Sequence, residues 1–99
     1  MIYEFPAIIS YDNNDGVYYV DFPDIQGCYT DGKNLREAID NADDALNLML
    51  LHLETQGKII PTPQNLNEIN LKCGQIVTLV KADTETYSKI LSEDSKVAV

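Results

Sequence analysis

Residues 34–54, NLREAIDNADDALNLMLLHLE, decide the fold because they form one long amphipathic helix. Apolar side chains recur every three or four residues, the spacing that places them on one side of a helix. The members of this stripe are Leu35, Ala38, Ile39, Ala42, Leu46, Met49, Leu50 and Leu53. Asn34 precedes the stripe as an N-cap, with Glu37 three residues on, and Gly57 is expected to supply the left-handed residue that ends the helix.

The other side of this helix changes character along its length. Glu37, Asp40 and Asp44 are followed on that side by Leu48 and Leu51. Leaving a leucine in water forgoes about 1.5 to 3 kcal/mol of burial free energy. We therefore expect the C-terminal segment, a second copy of the chain or a partner to cover both leucines, which makes them candidates for an oligomer interface.

Three short strands are predicted before the helix. Residues 3–11 alternate and are rich in aromatic and β-branched side chains, and residues 17–22 can return antiparallel to them. The polar turn between them ends in Asp15-Gly16, which suits a tight hairpin. Pro23, Asp24 and Gly27 interrupt the second strand, and a third is expected around residues 28–30.

The C-terminal third predicts a connector, a strand and a short helix. Residues 59–70 contain Pro61 and Pro63 and have no clear period, residues 76–80 form a strand, and residues 83–91 form a helix capped by Asp83 or Thr84. The order β-β-β-α-β-α predicts one α+β domain over residues 1–99, in which the long helix covers one face of an antiparallel sheet of three or four strands.

The charge of the chain restricts its partners. Sixteen acidic and seven basic residues give a net charge of −9. Such a surface repels nucleic-acid phosphates and anionic lipids and attracts a basic protein. The alternative is that the acidity serves solubility alone. We therefore expect no direct nucleic-acid binding and no membrane association. Apolar runs stay short of the roughly 20 residues that span a bilayer, and the N-terminus has no signal-peptide pattern, so a cytoplasmic location is predicted.

The sequence offers little catalytic chemistry. His52, the single histidine, lies in a leucine-rich helix without a serine-acid pair, and Cys28 and Cys73 lack the short spacings of metal ligands. We predict no catalytic, cofactor-binding or metal site and no cofactor. The alternative is a metal-dependent ribonuclease that uses Asp12, Asp15, Asp21, Asp24 and Asp31, because paired carboxylates can hold two Mg²⁺ ions. Carboxylates offered to a basic partner explain the same residues.

From residue 3 to residue 63 the sequence resembles the N-terminal domain of HicB antitoxins. The resemblance rests on spaced groups of residues: Phe5, Pro6, Ala7, Ile8 and Ile9; Gly16, Tyr18, Val20, Phe22, Pro23, Asp24, Gly27, Cys28, Thr30 and Gly32; Leu35, Glu37, Ala38, Asn41, Ala42, Ala45 and Leu46; and Gly57, Ile60, Pro61 and Pro63. Residues 76–91 are compatible with the family but less distinctive.

This resemblance implies a partial ribonuclease H-like fold without nuclease activity. HicB proteins bind HicA, a small basic toxin that cleaves mRNA, and block its activity. They usually also carry a C-terminal helix-turn-helix or ribbon-helix-helix module that binds operator DNA. We expect that module to be absent from these 99 residues, which end without a basic helix.

The leading hypothesis is an antitoxin that occludes a basic HicA-type toxin sterically and electrostatically. The candidate toxin contacts are Asp21, Asp24, Asp31, Glu37, Asp40 and Asp44, with an exposed Tyr18 or Tyr19 as an anchor. A homodimer or higher homo-oligomer is expected through Leu48 and Leu51. The alternatives are an oligomerisation module without a toxin partner and the degenerate metal-dependent ribonuclease.

Overall fold

The computed structural model describes the backbone of residues 2–97 and the side chains of residues 2–91. Its elements are β1 (Ile2–Asp12), β2 (Val17–Asp21), β3 (Tyr29–Gly32), α1 (Leu35–Thr55), β4 (Ile76–Asp83) and α2 (Thr84–Val97), with a 3₁₀ turn at Leu66–Glu68. The predicted α+β class and element order are confirmed. The prediction that the chain carries no C-terminal DNA-binding module stays a prediction, and residues 98–99 lie outside the described part.

The sheet is antiparallel throughout, in the order β3-β2-β1-β4. β1 pairs with β2 from Ile8 onward and with β4 from Ile2 to Ile9. Pro6 lies opposite Leu79 of β4, before the pairing with β2 begins. A proline is tolerated there because its flank toward β2 has no ladder hydrogen bond to lose.

One face of the sheet carries the hydrophobic core. Phe5 and Val20 on this face pack with Leu46 and Leu50 of α1, and all four side chains are at most 1% exposed. The apolar stripe of α1 is therefore buried around Leu46 and Leu50, at about 1.5 to 3 kcal/mol for each large side chain. Leu35 and Ile39, near the start of the stripe, are 40% and 41% exposed. The second face of the sheet has no helix on it among the described elements.

Both ends of α1 are capped as predicted. The side-chain oxygen of Asn34 accepts a hydrogen bond from the Glu37 N–H at 2.8 Å. At the other end the Lys58 N–H donates to the Leu53 carbonyl at 2.9 Å, and the Gly57 N–H donates to the Glu54 carbonyl at 3.1 Å. Gly57 has a φ of +66°. This is a Schellman motif, which needs a residue that adopts positive φ without strain.

β4 and α2 both extend beyond the predicted ranges. β4 continues to Asp83 because Ala82 is buried opposite Tyr3, in the same ladder that pairs Ile2 with Asp83. The Asp83 carboxylate also caps α2, accepting from the Thr86 N–H at 3.2 Å and the Thr86 hydroxyl at 2.9 Å. These bonds lower the pKa of Asp83. One residue thus ends the strand and starts the helix.

Buried polar contacts hold the β4–α2 junction against α1. Asn47 is 6% exposed, and its side-chain oxygen accepts from the Asp83 N–H at 3.1 Å. Glu54 accepts from the Tyr3 hydroxyl at 2.6 Å and from the Thr84 hydroxyl at 3.0 Å. The first strand, the end of α1 and the start of α2 therefore share one hydrogen-bonded node.

β3 lies unusually close to the first turn of α1. A Cβ atom on Gly32 would stand 2.6 Å from the Cα of Ala38 and 2.8 Å from the carbonyl carbon of Glu37. Real Cβ atoms do not approach backbone atoms this closely. Asn41 secures the same contact by donating to the Asp31 carbonyl at 2.9 Å. β3 is thus positioned by a glycine that leaves room for the helix.

Candidate partner-binding surface

The uncovered face of the sheet presents tyrosines and aspartates on β2 and β3. Val20 is buried against α1, so its neighbours Tyr19 and Asp21 point to the opposite face. The register places Tyr19 opposite Asp31 and Asp21 opposite Tyr29. We call these four residues the tyrosine–aspartate surface. Its two aromatic and two acidic side chains alternate in a two-by-two arrangement.

The tyrosine–aspartate surface is open to solvent and strongly negative. Tyr19 is 41% exposed and Tyr29 is 71% exposed. The Tyr19 hydroxyl donates to the Asp15 carboxylate at 2.9 Å. This hydrogen bond raises the pKa of Tyr19, and the negative charges of Asp15, Asp12 and Asp31 raise it further. Carboxylates beside aromatic rings can hold lysine and arginine side chains by ion pairing and cation–π contact.

The polarity of the open face changes toward β1 and β4. Ile8 of β1 lies between Asp21 on one side and Val77 on the other. Leu79 follows on β4 and is 48% exposed. The face therefore runs from an acidic, aromatic end at β3 to an apolar end at β4.

The other four predicted toxin contacts lie elsewhere. Asp24 is half-buried and binds the connector, because its carboxylate accepts from the Gln64 N–H at 3.2 Å and from the Gln64 side chain at 2.9 Å. Glu37, Asp40 and Asp44 are exposed on α1, on the opposite side of the sheet. The structure therefore brings together only Asp21 and Asp31 of the six candidates.

The carboxylates of α1 are partly engaged within the chain. Tyr87 of α2 donates its hydroxyl to Asp44 at 2.6 Å, and this bond raises the pKa of Tyr87 to about 12. Burial raises the pKa of Asp43, and the charges of Asp44 and Asp40 raise it further. Asp44 thus helps to attach α2, while Glu37 and Asp40 remain at the surface.

The two leucines predicted at an oligomer interface have different surroundings. Leu51 is half-buried and lines a hollow with Glu54 of α1 and Thr84 and Glu85 of α2. Leu48 is 52% exposed and lines a different hollow, beside the loop between β2 and β3. The C-terminal segment therefore shields Leu51, while half of Leu48 stays in water.

Sequence reasoning missed part of the surface. Tyr29 is absent from the predicted contacts, although it stands two residues before Asp31, the spacing that places both on one face of a strand. Of the two proposed tyrosine anchors, Tyr19 is exposed, whereas Tyr18 packs against the core with its ring 4.7 Å from that of Tyr11.

The remaining residues considered for chemistry are placed as follows. Cys28 and Cys73 are free thiols, and burial, helped by the Asp21 charge, raises the pKa of Cys28 to about 11. Among the described side chains, no three carboxylate, histidine or cysteine groups converge closely enough to hold a metal ion. Within residues 2–97, no helix has the length and apolar character needed to cross a bilayer.

Comparison with known proteins assigns the chain to a family. The sequence model of the family described as HicB-like antitoxin of bacterial toxin–antitoxin systems matches residues 5–98. A UPF0150 protein of Thermoplasma acidophilum is 34% identical over 68 residues, which cover 69% of this chain and 96% of that protein.

Two solved structures resemble the fold. A toxin–antitoxin complex from Streptococcus pneumoniae contains a chain that matches with a TM-score of 0.79 at 23% identity, over 88% of this chain and 73% of the other. The HicA3–HicB3 toxin–antitoxin complex contains a chain that matches with a TM-score of 0.64 at 25% identity, over 84% of this chain and 99% of the other.

Proposed function

Because the chain belongs to the HicB-like antitoxin family of bacterial toxin–antitoxin systems, we propose that it neutralises a basic HicA-type toxin by binding it through the tyrosine–aspartate surface. The chain acts by occlusion and needs no chemistry of its own. Since such a toxin cleaves mRNA, the proposed site of action is the cytoplasm. The similarity to a chain of the HicA3–HicB3 complex supports a toxin as the partner.

The arrangement of Tyr19, Asp21, Tyr29 and Asp31 carries this proposal. The carboxylates attract a basic partner over distances of about a Debye length, and this attraction chiefly raises the association rate. The tyrosines offer rigid area that a partner can bury, and such anchors chiefly set the dissociation rate. Both properties coincide on a face that no described element covers.

A pair of charge-matched variants tests the proposal. Asp21→Asn with Asp31→Asn removes two negative charges from the tyrosine–aspartate surface, and Glu37→Gln with Asp40→Gln removes two from α1. Each variant is mixed with the purified cognate HicA-type toxin, and the association rate is measured across a salt series. We expect the first variant to associate about tenfold more slowly at low salt and the second to change little.

RNA cleavage supplies the functional readout. The wild-type chain should form a stable complex and suppress cleavage by the basic protein. A complex whose association rate falls equally in both double variants would show that only net charge matters and would remove the surface from the proposal. Absence of any wild-type complex would refute the antitoxin role. Cleavage by the isolated chain in Mg²⁺ would instead favour the ribonuclease alternative.

Self-association is a second proposed property, and the edge strand β4 favours it. Among the described strands β4 pairs with β1 alone, and it offers eight residues of backbone at its outer side, with Ile76 54% and Leu79 48% exposed. Long apolar edges of this kind pair readily with another strand. β4 also lies at the opposite end of the sheet from Asp21 and Asp31, so two acidic copies could meet there with less repulsion.

Sedimentation tests the homo-oligomer. The wild type should sediment as a dimer, and Leu79→Lys should sediment as a monomer because a charge on the edge disfavours strand pairing. Leu66→Lys serves as the control, because Leu66 is a leucine on the connector that is 40% exposed. A monomeric wild type, or a dimer that persists in Leu79→Lys, would exclude this edge as the interface.

A further inference from the structure

An apolar hollow of about 450 Å³ lies where α1 passes the loop between β2 and β3. Its walls include Cys28, Tyr29, Ala45, Leu48, Met49 and His52. Cys28 forms part of the floor at 2% exposure, whereas Leu48 forms a wall at 52% exposure. We call this feature the Leu48 hollow.

The sequence of α1 explains why the hollow exists. Ala45, Leu48, Met49 and His52 recur at spacings of three and four and so lie along one flank of the helix. Ala45 is small, and its carbonyl oxygen accepts a hydrogen bond from the Cys28 thiol at 3.9 Å. The helix and the loop therefore approach each other closely at the floor of the hollow. The larger Leu48 and Met49 then stand as walls around a gap that the chain itself leaves open.

The hollow is continuous with the tyrosine–aspartate surface. Tyr29 belongs to both, since it lines the hollow and pairs with Asp21 across the strands. The charge of Asp21 also reaches the hollow, where it contributes to the raised pKa of Cys28. A protein that contacts Asp21 and Asp31 would therefore lie across β3 and over the mouth of the hollow.

Charge selects the occupant. A second copy of this chain, with a net charge of −9, would bring its own carboxylates toward Asp21 and Asp31. A basic protein would instead be attracted by these two carboxylates and could bury an apolar side chain in the Leu48 hollow. Interfaces of this kind place an apolar anchor in a pocket and surround it with charged groups. We propose that the Leu48 hollow receives an apolar side chain of the same basic toxin, carried on a segment that crosses β3. This inference rests on the proposed function.

Two variants with opposite effects on the hollow test the inference. Leu48→Ser removes a wall, and Ala45→Leu fills the space, yet both should release the toxin faster. With the cognate HicA-type toxin as the probe, we expect dissociation to accelerate at least about tenfold while association changes little. Ile39→Ser, an apolar position on the same helix that is 41% exposed and outside the hollow, is the matched control.

The outcomes separate the hollow from the proposed function. If the wild type binds and suppresses cleavage but Leu48→Ser and Ile39→Ser dissociate alike, the hollow is not the anchor site, although the antitoxin role stands. If the wild type does not bind, both proposals fail. If Leu48→Ser instead lowers the sedimenting mass of the isolated chain, a second copy occupies the hollow and the inference is overturned. Unchanged thermal midpoints confirm that each variant is folded. If Leu48→Ser does not fold, Leu48→Ala takes its place.

Discussion

Gly32→Ala is the substitution that most directly tests the packing of β3 on α1. The added methyl group would stand 2.6 Å from the Cα of Ala38 and 2.8 Å from the carbonyl carbon of Glu37. Both atoms belong to the backbone, so neither can rotate away. Overpacking costs about 1 to 3 kcal/mol when side chains can adjust, and we expect about 3 kcal/mol or more here. At about 4 to 8 °C per kcal/mol, the thermal midpoint should fall by at least roughly 12 °C.

Gly27→Ala is the control for this experiment. Gly27 has φ +79° and no atom within 4 Å of an added Cβ, so alanine there meets only the cost of a left-handed backbone, about 1 to 2 kcal/mol. Urea and thermal unfolding followed by circular dichroism measure both variants. A Gly32→Ala variant that loses no more stability than Gly27→Ala would refute the close approach of β3 to α1. The proposed function adds that Gly32→Ala should weaken toxin binding, because the clash with α1 would displace the adjacent Asp31.

Three further predictions concern polar and titratable side chains. Asn47→Ala leaves the Asp83 N–H without its hydrogen-bond acceptor, so the free energy of unfolding should fall by about 1 to 3 kcal/mol. Asn41→Ala, at an exposed position, should cost clearly less, and urea unfolding measures both. Hydrogen bonds to Glu54 and Asp44 raise the pKa values of Tyr3 and Tyr87 to about 12 from 10.0. Their stabilisation is therefore complete below pH 10.0 and is lost as the pH rises toward about 12. The urea midpoint should fall over that range, and less steeply in a Tyr3→Phe, Tyr87→Phe variant; equal slopes would contradict this cause. Burial should make Cys28 react with thiol reagents about 100-fold more slowly than Cys73 at neutral pH, a difference that mass spectrometry would detect and that unfolding should abolish.

Local signals in the sequence predicted the elements well. Asn34 and Gly57 cap α1 through bonds that reach only three to five residues along the chain, so residue type and spacing suffice to find them. The predicted end of β4 at residue 80 is three residues too early, because Lys81 interrupts the apolar pattern. Its position is decided by pairing with Glu4, which lies far away in the sequence.

The candidate surface could be predicted only in part, because it depends on contacts between distant residues. Asp21 and Asp24 look equivalent as strand-end aspartates, yet Asp24 is engaged by Gln64, forty residues on. Likewise the acidic residues of α1 and those of β2 and β3 carry the same charge but lie on opposite sides of the sheet. The acidic residues of α1 and those of β2 and β3 can be told apart only once the face of the sheet on which α1 packs is known, and the sequence does not give this directly.

The position of β1 has a consequence for how the chain is made. β1 leaves the ribosome before β4, so the ladder that joins Ile2 to Asp83 can form only after β4 has been synthesised. Until then one border of β1 lacks its partner β4, and closing so long a loop slows folding. A ribosome that stalled before residue 76 would therefore hold a nascent chain with an apolar strand free to pair with another polypeptide.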